Sequence, residues 1–119
     1  MTDVCVTVPH GRWTDWLTEG DLVGEPWSQE EYAFHLYGVV PKIQPGERVY
    51  IFAYGRLRGY APLVRIEKDS WFTRTHFDLI RRGGAVACTL PFAVTGFRAW
   101  RYVWWDRSLE LPFPDWKTP

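Results

Sequence analysis

The sequence predicts a mixed α+β domain that is mainly β: a small barrel with short helices inserted after its first strand. The 119 residues, 46% hydrophobic and 18% aromatic, suit one domain with a hydrophobic core. Beyond residue 46, β-branched and aromatic segments alternate with Gly and Pro turns, which is typical of strands. Closing one small sheet into a barrel buries this pattern and removes exposed strand edges.

The first element is a strand, and a short helix follows it. Residues 4–8 are rich in β-branched side chains and predict a strand that ends at Pro9. Trp13, Trp16 and Leu17 then have the i, i+3, i+4 spacing of a short apolar helix face.

A second helix is predicted between the first strand and the later strands. Ser28 and Glu31 have the spacing of a capping box, which marks a helix N-terminus. We expect this helix to run to about Tyr37, with Gly38 as its C-terminal cap. Its buried stripe would be Tyr32, Ala33, Leu36 and Tyr37.

The rest of the chain predicts several strands and a tail. The turn at 44–47 and the strands at 48–54, 57–67, 85–90 and 96–105 follow from turn residues that flank β-rich runs. Gly59 and Pro62 predict a bulge or an edge in the second of these strands. Residues 77–82 fit a short helix or a strand, and residues 106–119 predict an extended tail of the same single domain, 1–119.

Charge and tryptophan are unevenly used. The net charge is zero, but residues 1–45 hold two basic and seven acidic side chains, and residues 46–119 hold twelve and seven. Eleven of the fourteen basic residues are arginine, which pairs with phosphate and stacks on flat rings. Eight tryptophans exceed what a small core needs, so some are expected in a groove or an interface. The charges fit either internal ion pairs on a solvated surface or a basic face for a polyanion.

Several functional classes lack their sequence motifs. The chain contains no glycine-rich phosphate loop, Cys-x-x-Cys, His-Glu-x-x-His or Gly-x-Ser-x-Gly motif, so we expect no cofactor, no metal site and no catalytic residue. Cys5 and Cys88 lie in predicted strands and are expected to be buried thiols. No secretory signal or membrane-spanning run is visible, so a cytoplasmic location and no membrane contact are expected.

The candidate binding residues are arginines and aromatics near the hairpin after residue 48 and in the Trp-rich segment. Strand periodicity predicts Arg56, Arg58 and Tyr60 on one face, where they can meet phosphates and stack on a base. Trp13 and Trp16 either cover the barrel or form an aromatic wall for a base. Arginines such as Arg74 could add phosphate contacts or be exposed. Trp100, Tyr102 and Trp104 share one face of the last predicted strand, and we expect at least one face of that strand to be core.

Two segments resemble the PUA-like superfamily, which includes the EVE and ASCH domains. They are Pro45-Gly46-Glu47-Arg48-Val49-Tyr50-Ile51 and Gly55-Arg56-Leu57-Arg58-Gly59-Tyr60-Ala61-Pro62-Leu63-Val64. The resemblance implies a small PUA-like β-barrel that binds RNA or a modified base in a pocket beside the exit of the first strand. It implies that this pocket draws on His10, Arg12, Trp13, Tyr54 and Arg56. The Lys-containing motif of ASCH ribonucleases is absent.

Three functional hypotheses follow. The first is a nucleic-acid-binding module, for RNA or modified DNA, whose candidate residues are His10, Arg12, Trp13, Trp16, Tyr54, Arg56, Arg58, Tyr60 and Arg74. The second is a small ASCH-like hydrolase or nuclease, for which Lys68 is the best-placed lysine. The third is a protein-interaction domain or homodimer that docks through exposed tryptophans.

Overall fold

The computed structural model describes residues 2–19, 30–69, 76–82 and 85–119. The strands are β1 (Val4–Thr7), β2 (Glu31–Tyr37), β3 (Arg48–Ala53), β4 (Arg56–Asp69), β5 (His76–Arg82), β6 (Val86–Thr89), β7 (Trp100–Tyr102) and β8 (Leu111–Pro112), and the helix is α1 (Trp13–Glu19). The predicted mainly β class is confirmed, as is a short helix after the first strand.

The strands form one curled sheet, a half-barrel, in the order β2-β5-β4-β3-β1-β7. β1 and β3 are parallel, and the other pairs are antiparallel. β5 and β6 both pair with the edge of β4 that does not pair with β3. Leu63 of β4 lies opposite Arg81 of β5, and Tyr60 of β4 lies opposite Val86 of β6. Within the described residues β2 and β7 form the two ends and do not pair. The barrel expected from the sequence is therefore confirmed only as a curled sheet.

The centre of the sheet is buried on both faces. On β1, Val4 and Val6 pack into a core that contains the helix residues Trp13 and Trp16, here called the helix-side core. Cys5 points to the opposite face, into a core that contains Trp105, here called the Trp105-side core. β3 alternates in the same way, which explains why both strands are continuous apolar runs, as is usual for a parallel pair covered on two sides.

The hairpin between β3 and β4 turns on two residues with positive φ. Tyr54 has φ 49° and Gly55 has φ 73°, the backbone combination that suits a two-residue hairpin turn. The pairing register shifts between Ile51 and Phe52, so Arg58 is the extra residue of a bulge. A second shift lies between Leu63 and Arg65. The bulge or edge predicted from Gly59 and Pro62 is confirmed.

The predicted second helix is wrong where the structure describes it. Residues 31–37 form strand β2, and they pair antiparallel with β5 from Glu31 opposite Arg82 to Tyr37 opposite His76. The buried stripe predicted for this helix is wrong too, since Ala33 and Tyr37 are exposed. Pairing with β5 runs along the whole segment and supplies backbone hydrogen bonds on one edge of β2, and this tertiary gain overrides a local capping signal. Ser28 lies outside the described residues.

The last predicted strand is much shorter than expected. Only Trp100–Tyr102 are extended and paired, because β1 offers just Val4–Val6 as partners. Ala99, with φ 58°, interrupts the chain immediately before them. The ambiguous segment 77–82 belongs to a strand, β5.

The C-terminal segment packs on the sheet through short elements. A 3-10 turn covers Arg107–Leu109, β8 pairs with β6, and the Trp116 side chain is buried. Among the described residues, no helix has the length and apolar character to cross a membrane.

Candidate functional site

A groove of about 930 Å³ lies where the curled sheet does not close. One side is β2 at residues 33–37, and the other is the segment 96–99 that leads into β7. The end of β1 and the start of α1, with Arg12 and Trp16, complete it. We call this the seam groove, because it separates the two end strands of the half-barrel.

Two hydrogen bonds that involve aromatic side chains of β7 connect this strand with the segment that follows β2. Trp100 Nε1 donates to the Val39 carbonyl at 2.8 Å, and the Lys42 amide donates to the Tyr102 hydroxyl at 3.1 Å. The rings of Trp100 and Tyr102 pack edge to face with centroids 4.7 Å apart. These contacts hold the two sides of the seam at a defined separation without strand pairing.

Three aromatic rings of the groove each lie close to a guanidinium group. Arg81 is 4.9 Å from the Trp16 ring and 5.5 Å from the Phe34 ring, and Arg101 is 4.7 Å from the Phe97 ring. Arg81 is buried, whereas Arg101 is exposed. Such cation–π contacts orient the arginines against the rings and keep positive charge next to the groove.

The groove itself carries two exposed arginines. Arg12 is 3.8 Å from Asp15, and both side chains are largely in solvent, so the pair is weak. Arg98 has no carboxylate within ion-pair distance among the described residues. The indole Nε1 of Trp16 is buried and has no hydrogen-bond acceptor among the described residues. The groove therefore combines flat apolar walls with hydrogen-bond donors.

Five of the sequence-predicted residues are brought together beside the groove. Arg12 and Trp16 line it, as described. The exposed His10 ring stacks on Tyr54 with centroids 4.0 Å apart and planes 2° apart, and Trp13 meets Tyr54 edge-on at 5.7 Å. The end of β1 and the β3–β4 hairpin are thus in contact, but Trp13 is itself buried in the core.

Arg58 is buried and occupied by the C-terminal segment. Its Nε donates to the Ala53 carbonyl at 2.9 Å, and its Nη1 donates to the carbonyls of Trp116 and Thr118. The guanidinium lies 5.2 Å from the Trp13 ring. Burial, and then the positive charge of Arg56, lower the pKa of Arg58. In this structure Arg58 holds the protein together rather than facing a ligand.

The predicted common face of Arg56, Arg58 and Tyr60 is wrong, because the bulge at Arg58 breaks the two-residue period. Arg58 packs on the helix-side core, whereas Tyr60 packs on the Trp105-side core, where Arg48 lies 4.1 Å from its ring. Arg56 is exposed at the hairpin. Arg74 lies outside the described residues.

The β2 residues that line the groove are not among the binding residues predicted from the sequence. Phe34 and His35 lie in the segment for which the sequence predicts a helix. The alternation of Tyr32, Phe34 and Leu36 was the available signal, since period 2 predicts a half-buried strand. On the other side Phe97, which lines the groove, was also missed.

Many arginines are neutralised by acidic residues of the N-terminal third. Arg65 makes two hydrogen bonds of 2.8 Å to Glu31, Arg82 lies 3.6 Å from Glu31, and Arg107 lies 2.7 Å from Asp3. The opposite charges of the two halves therefore meet in the fold as ion pairs. Among the exposed arginines in the described part of the chain, Arg56, Arg98 and Arg101 have no carboxylate within ion-pair distance.

A second cluster of polar and aromatic residues lies under the C-terminal segment, and we call it the Glu110 cluster. The Tyr50 hydroxyl donates to Glu110 at 2.7 Å, Trp105 Nε1 donates to the same carboxylate at 2.9 Å, and Arg48 lies 3.4 Å from it. Glu110 is only 10% exposed. Burial raises the pKa of Tyr50, so the phenol stays a neutral donor.

Both cysteines of the chain are buried and make no disulfide. Burial raises the pKa of both Cys5 and Cys88 to about 12, so the thiols stay protonated. Among the described residues, no group of three or more His, Cys, Asp or Glu side chains is arranged to hold a metal ion.

Comparison of the chain with protein-family models, with curated proteins and with solved structures found no match.

Proposed function

We propose that the protein is a nucleic-acid-binding module that holds bases of a single strand in the seam groove. The observation that carries this proposal is the combination of three aromatic walls, Trp16, Phe34 and Phe97, with the exposed guanidinium groups of Arg12 and Arg98 in one cleft. Flat rings suit bases, and arginine suits phosphate, so both parts of a nucleotide have a partner.

The size of the groove supports this proposal. Ligand sites commonly enclose on the order of 300–1,000 Å³, and the groove has about 930 Å³. A nucleotide is within the size range of ligands that sites of this volume bind.

Stacking and charge would contribute different parts of the affinity. Stacking of a base on an aromatic side chain contributes roughly 1–3 kcal/mol and does not depend strongly on salt. Contacts from Arg12, Arg98 and Arg101 to phosphates release counterions, so they make the affinity fall as salt rises. A duplex exposes no base faces, so single-stranded or flipped-out bases fit the groove better.

The likeness to the PUA-like superfamily is part of the same proposal. A curled, mainly β sheet with a helix after its first strand agrees with it. RNA or a base-modified DNA strand is then the ligand that we propose.

Fluorescence titration tests the proposal directly, because Trp16 lies in the groove. We expect short single-stranded RNA or DNA oligonucleotides, with modified bases among them, to quench tryptophan emission at low salt. Arg12→Ala with Arg98→Ala should weaken binding about tenfold or more and make it less dependent on salt. Phe34→Leu should weaken binding while leaving the salt dependence unchanged.

Arg56→Ala is the matched control, because Arg56 is also an exposed arginine without a carboxylate partner but lies at the hairpin, outside the groove lining. Equal losses for Arg56→Ala and Arg98→Ala would contradict the groove as the site. Absence of quenching across the whole panel at low salt would reject nucleic-acid binding.

A second candidate, docking of another protein chain or of a second copy, is favoured by one observation. Tyr102, at the end of β7, and Trp104, two residues beyond it, are 43% and 50% exposed. Sedimentation that shows a stable dimer, abolished by Trp104→Ala, would support this alternative.

A further inference from the structure

His35 and Asp78 form a hydrogen-bonded pair at the groove, and no part of the binding proposal uses it. They lie opposite each other on β2 and β5, and His35 Nδ1 is 2.6 Å from Asp78 Oδ1. A carboxylate only accepts hydrogen bonds, so Nδ1 carries a proton, and in the neutral imidazole the lone pair is then on Nε2. Among the described residues Nε2 has no hydrogen-bond partner, and the His35 side chain is 79% exposed.

We propose that His35 is a general base that cleaves single-stranded RNA bound in the seam groove. This inference rests on the proposed function, because it requires RNA in the groove. His35 lines the same cleft as Arg12 and Arg98. An oriented base and guanidinium groups beside one phosphate are the components that phosphodiester cleavage needs.

RNA supplies the nucleophile itself. His35 Nε2 takes the proton from a ribose 2′-hydroxyl, the 2′-oxygen forms a bond to the adjacent phosphorus, and the bond from phosphorus to the 5′-oxygen breaks. The imidazolium then returns its proton to the leaving 5′-oxygen. The products are a 2′,3′-cyclic phosphate and a 5′-hydroxyl end, and no water, metal or oxidant is consumed.

The remaining groups have separate tasks. Arg12 and Arg98 would bind the non-bridging oxygens, whose negative charge increases in the transition state. Asp78 is a positioning residue: it fixes the tautomer and the ring orientation of His35 and does not contact the substrate. Lys68, which the sequence alone favoured for hydrolysis, is not among the residues that line the groove.

The test is incubation of the full-length protein with an end-labelled single-stranded RNA of mixed sequence, with product ends identified by mass. We expect 2′,3′-cyclic phosphate ends, and none from an RNA that is 2′-O-methylated throughout. His35→Ala should lower the cleavage rate at least 100-fold while RNA affinity changes less than threefold. Added imidazole should restore part of the rate, because the site of the missing ring is open to solvent.

His76→Ala is the matched control, since His76 is another exposed histidine, on β5, and does not line the groove. It should keep the full rate. Asp78→Asn should lower the rate about tenfold without changing the affinity, a split that a merely structural role would not produce.

The outcomes separate the two proposals. RNA that is bound but left intact overturns the catalytic role and leaves the binding function standing. RNA that is neither bound nor cleaved overturns both. Cleavage that persists in His35→Ala at the rate of the unaltered protein also overturns the role of His35.

Discussion

The seam groove and the Glu110 cluster are built from similar residue types, but they differ in how the polar groups are satisfied. In the Glu110 cluster, Tyr50, Trp105 and Arg48 all converge on one buried carboxylate. In the groove, Arg98 is exposed and has no carboxylate within ion-pair distance among the described residues, and Trp16, Phe34 and Phe97 line the cleft.

The difference teaches that an arginine or a tryptophan is not by itself evidence of a ligand. Where donors and acceptors satisfy one another in a buried site, the cluster holds the chain together. Where donors are left open to solvent beside flat rings, their interaction energy is available to a ligand. Substitutions in the two regions should therefore change different measurements.

The largest effect is expected from Glu110→Ala. The change leaves the Tyr50 hydroxyl, the Trp105 indole and Arg48 without their shared acceptor, and breaking a buried ionic contact typically costs about 3–5 kcal/mol. Urea denaturation should show that loss in the free energy of unfolding. If the affinity for oligonucleotides falls instead while stability is unchanged, the comparison is wrong and the Glu110 cluster is the functional site.

Arg58→Ala should have the next largest effect and should behave like a change in the Glu110 cluster. It removes three hydrogen bonds to main-chain carbonyls, at a cost of about 2–3 kcal/mol. The C-terminal segment should then be cut by protease faster than in the unaltered protein. The salt dependence of nucleic-acid binding should stay the same. A change in that salt dependence would indicate that Arg58 takes part in binding.

Alkaline pH should weaken the protein through its buried thiols. The pKa of Cys5 and of Cys88 is about 12 in the folded chain, against roughly 8.5 when unfolded. As pH rises, the thiols of the unfolded chain therefore lose their protons before those of the folded chain. The stability that is fully present below the unfolded pKa of roughly 8.5 declines as pH rises toward 12.

Between pH 8 and pH 10 the free energy of unfolding should fall by about 1–2 kcal/mol for each of the two thiols. Urea titrations at the two pH values measure this, and a Cys5→Val, Cys88→Val double variant should show a smaller decline. An identical decline in that variant would assign the effect to other groups.

Arg98→Ala should give the smallest change in energy, and it should appear only in binding. Losing one phosphate contact should weaken oligonucleotide affinity about fivefold, or about 1 kcal/mol, and should reduce the slope of log affinity against log salt by about 0.7 for a single strand. The melting temperature should not change, because the side chain is exposed. A destabilised Arg98→Ala protein would remove the distinction between the two regions.

The candidate site could be predicted only in part from the sequence. Arg12 and Trp16 were placed correctly beside the exit of β1, because they follow the strand closely in sequence. Phe34 and His35 were missed, because a capping signal over a few residues cannot report that β5 lies alongside to pair with them. Arg58 was assigned to a ligand because nothing local shows that Trp116 and Thr118 return to it from about 60 residues away.

The sequence by itself determined what depends on neighbours in the chain: the strands β1, β3 and β4, the short helix α1, and the turn at Gly55. Their side-chain periods and turn residues act over a few positions, so they can be seen without a fold. Only the tertiary structure decided that residues 31–37 are extended, that a bulge turns Tyr60 away from Arg58, and that the half-barrel leaves a groove between β2 and β7. These features depend on which distant segments pair and pack. The free energy of that pairing and packing is a property of the whole chain.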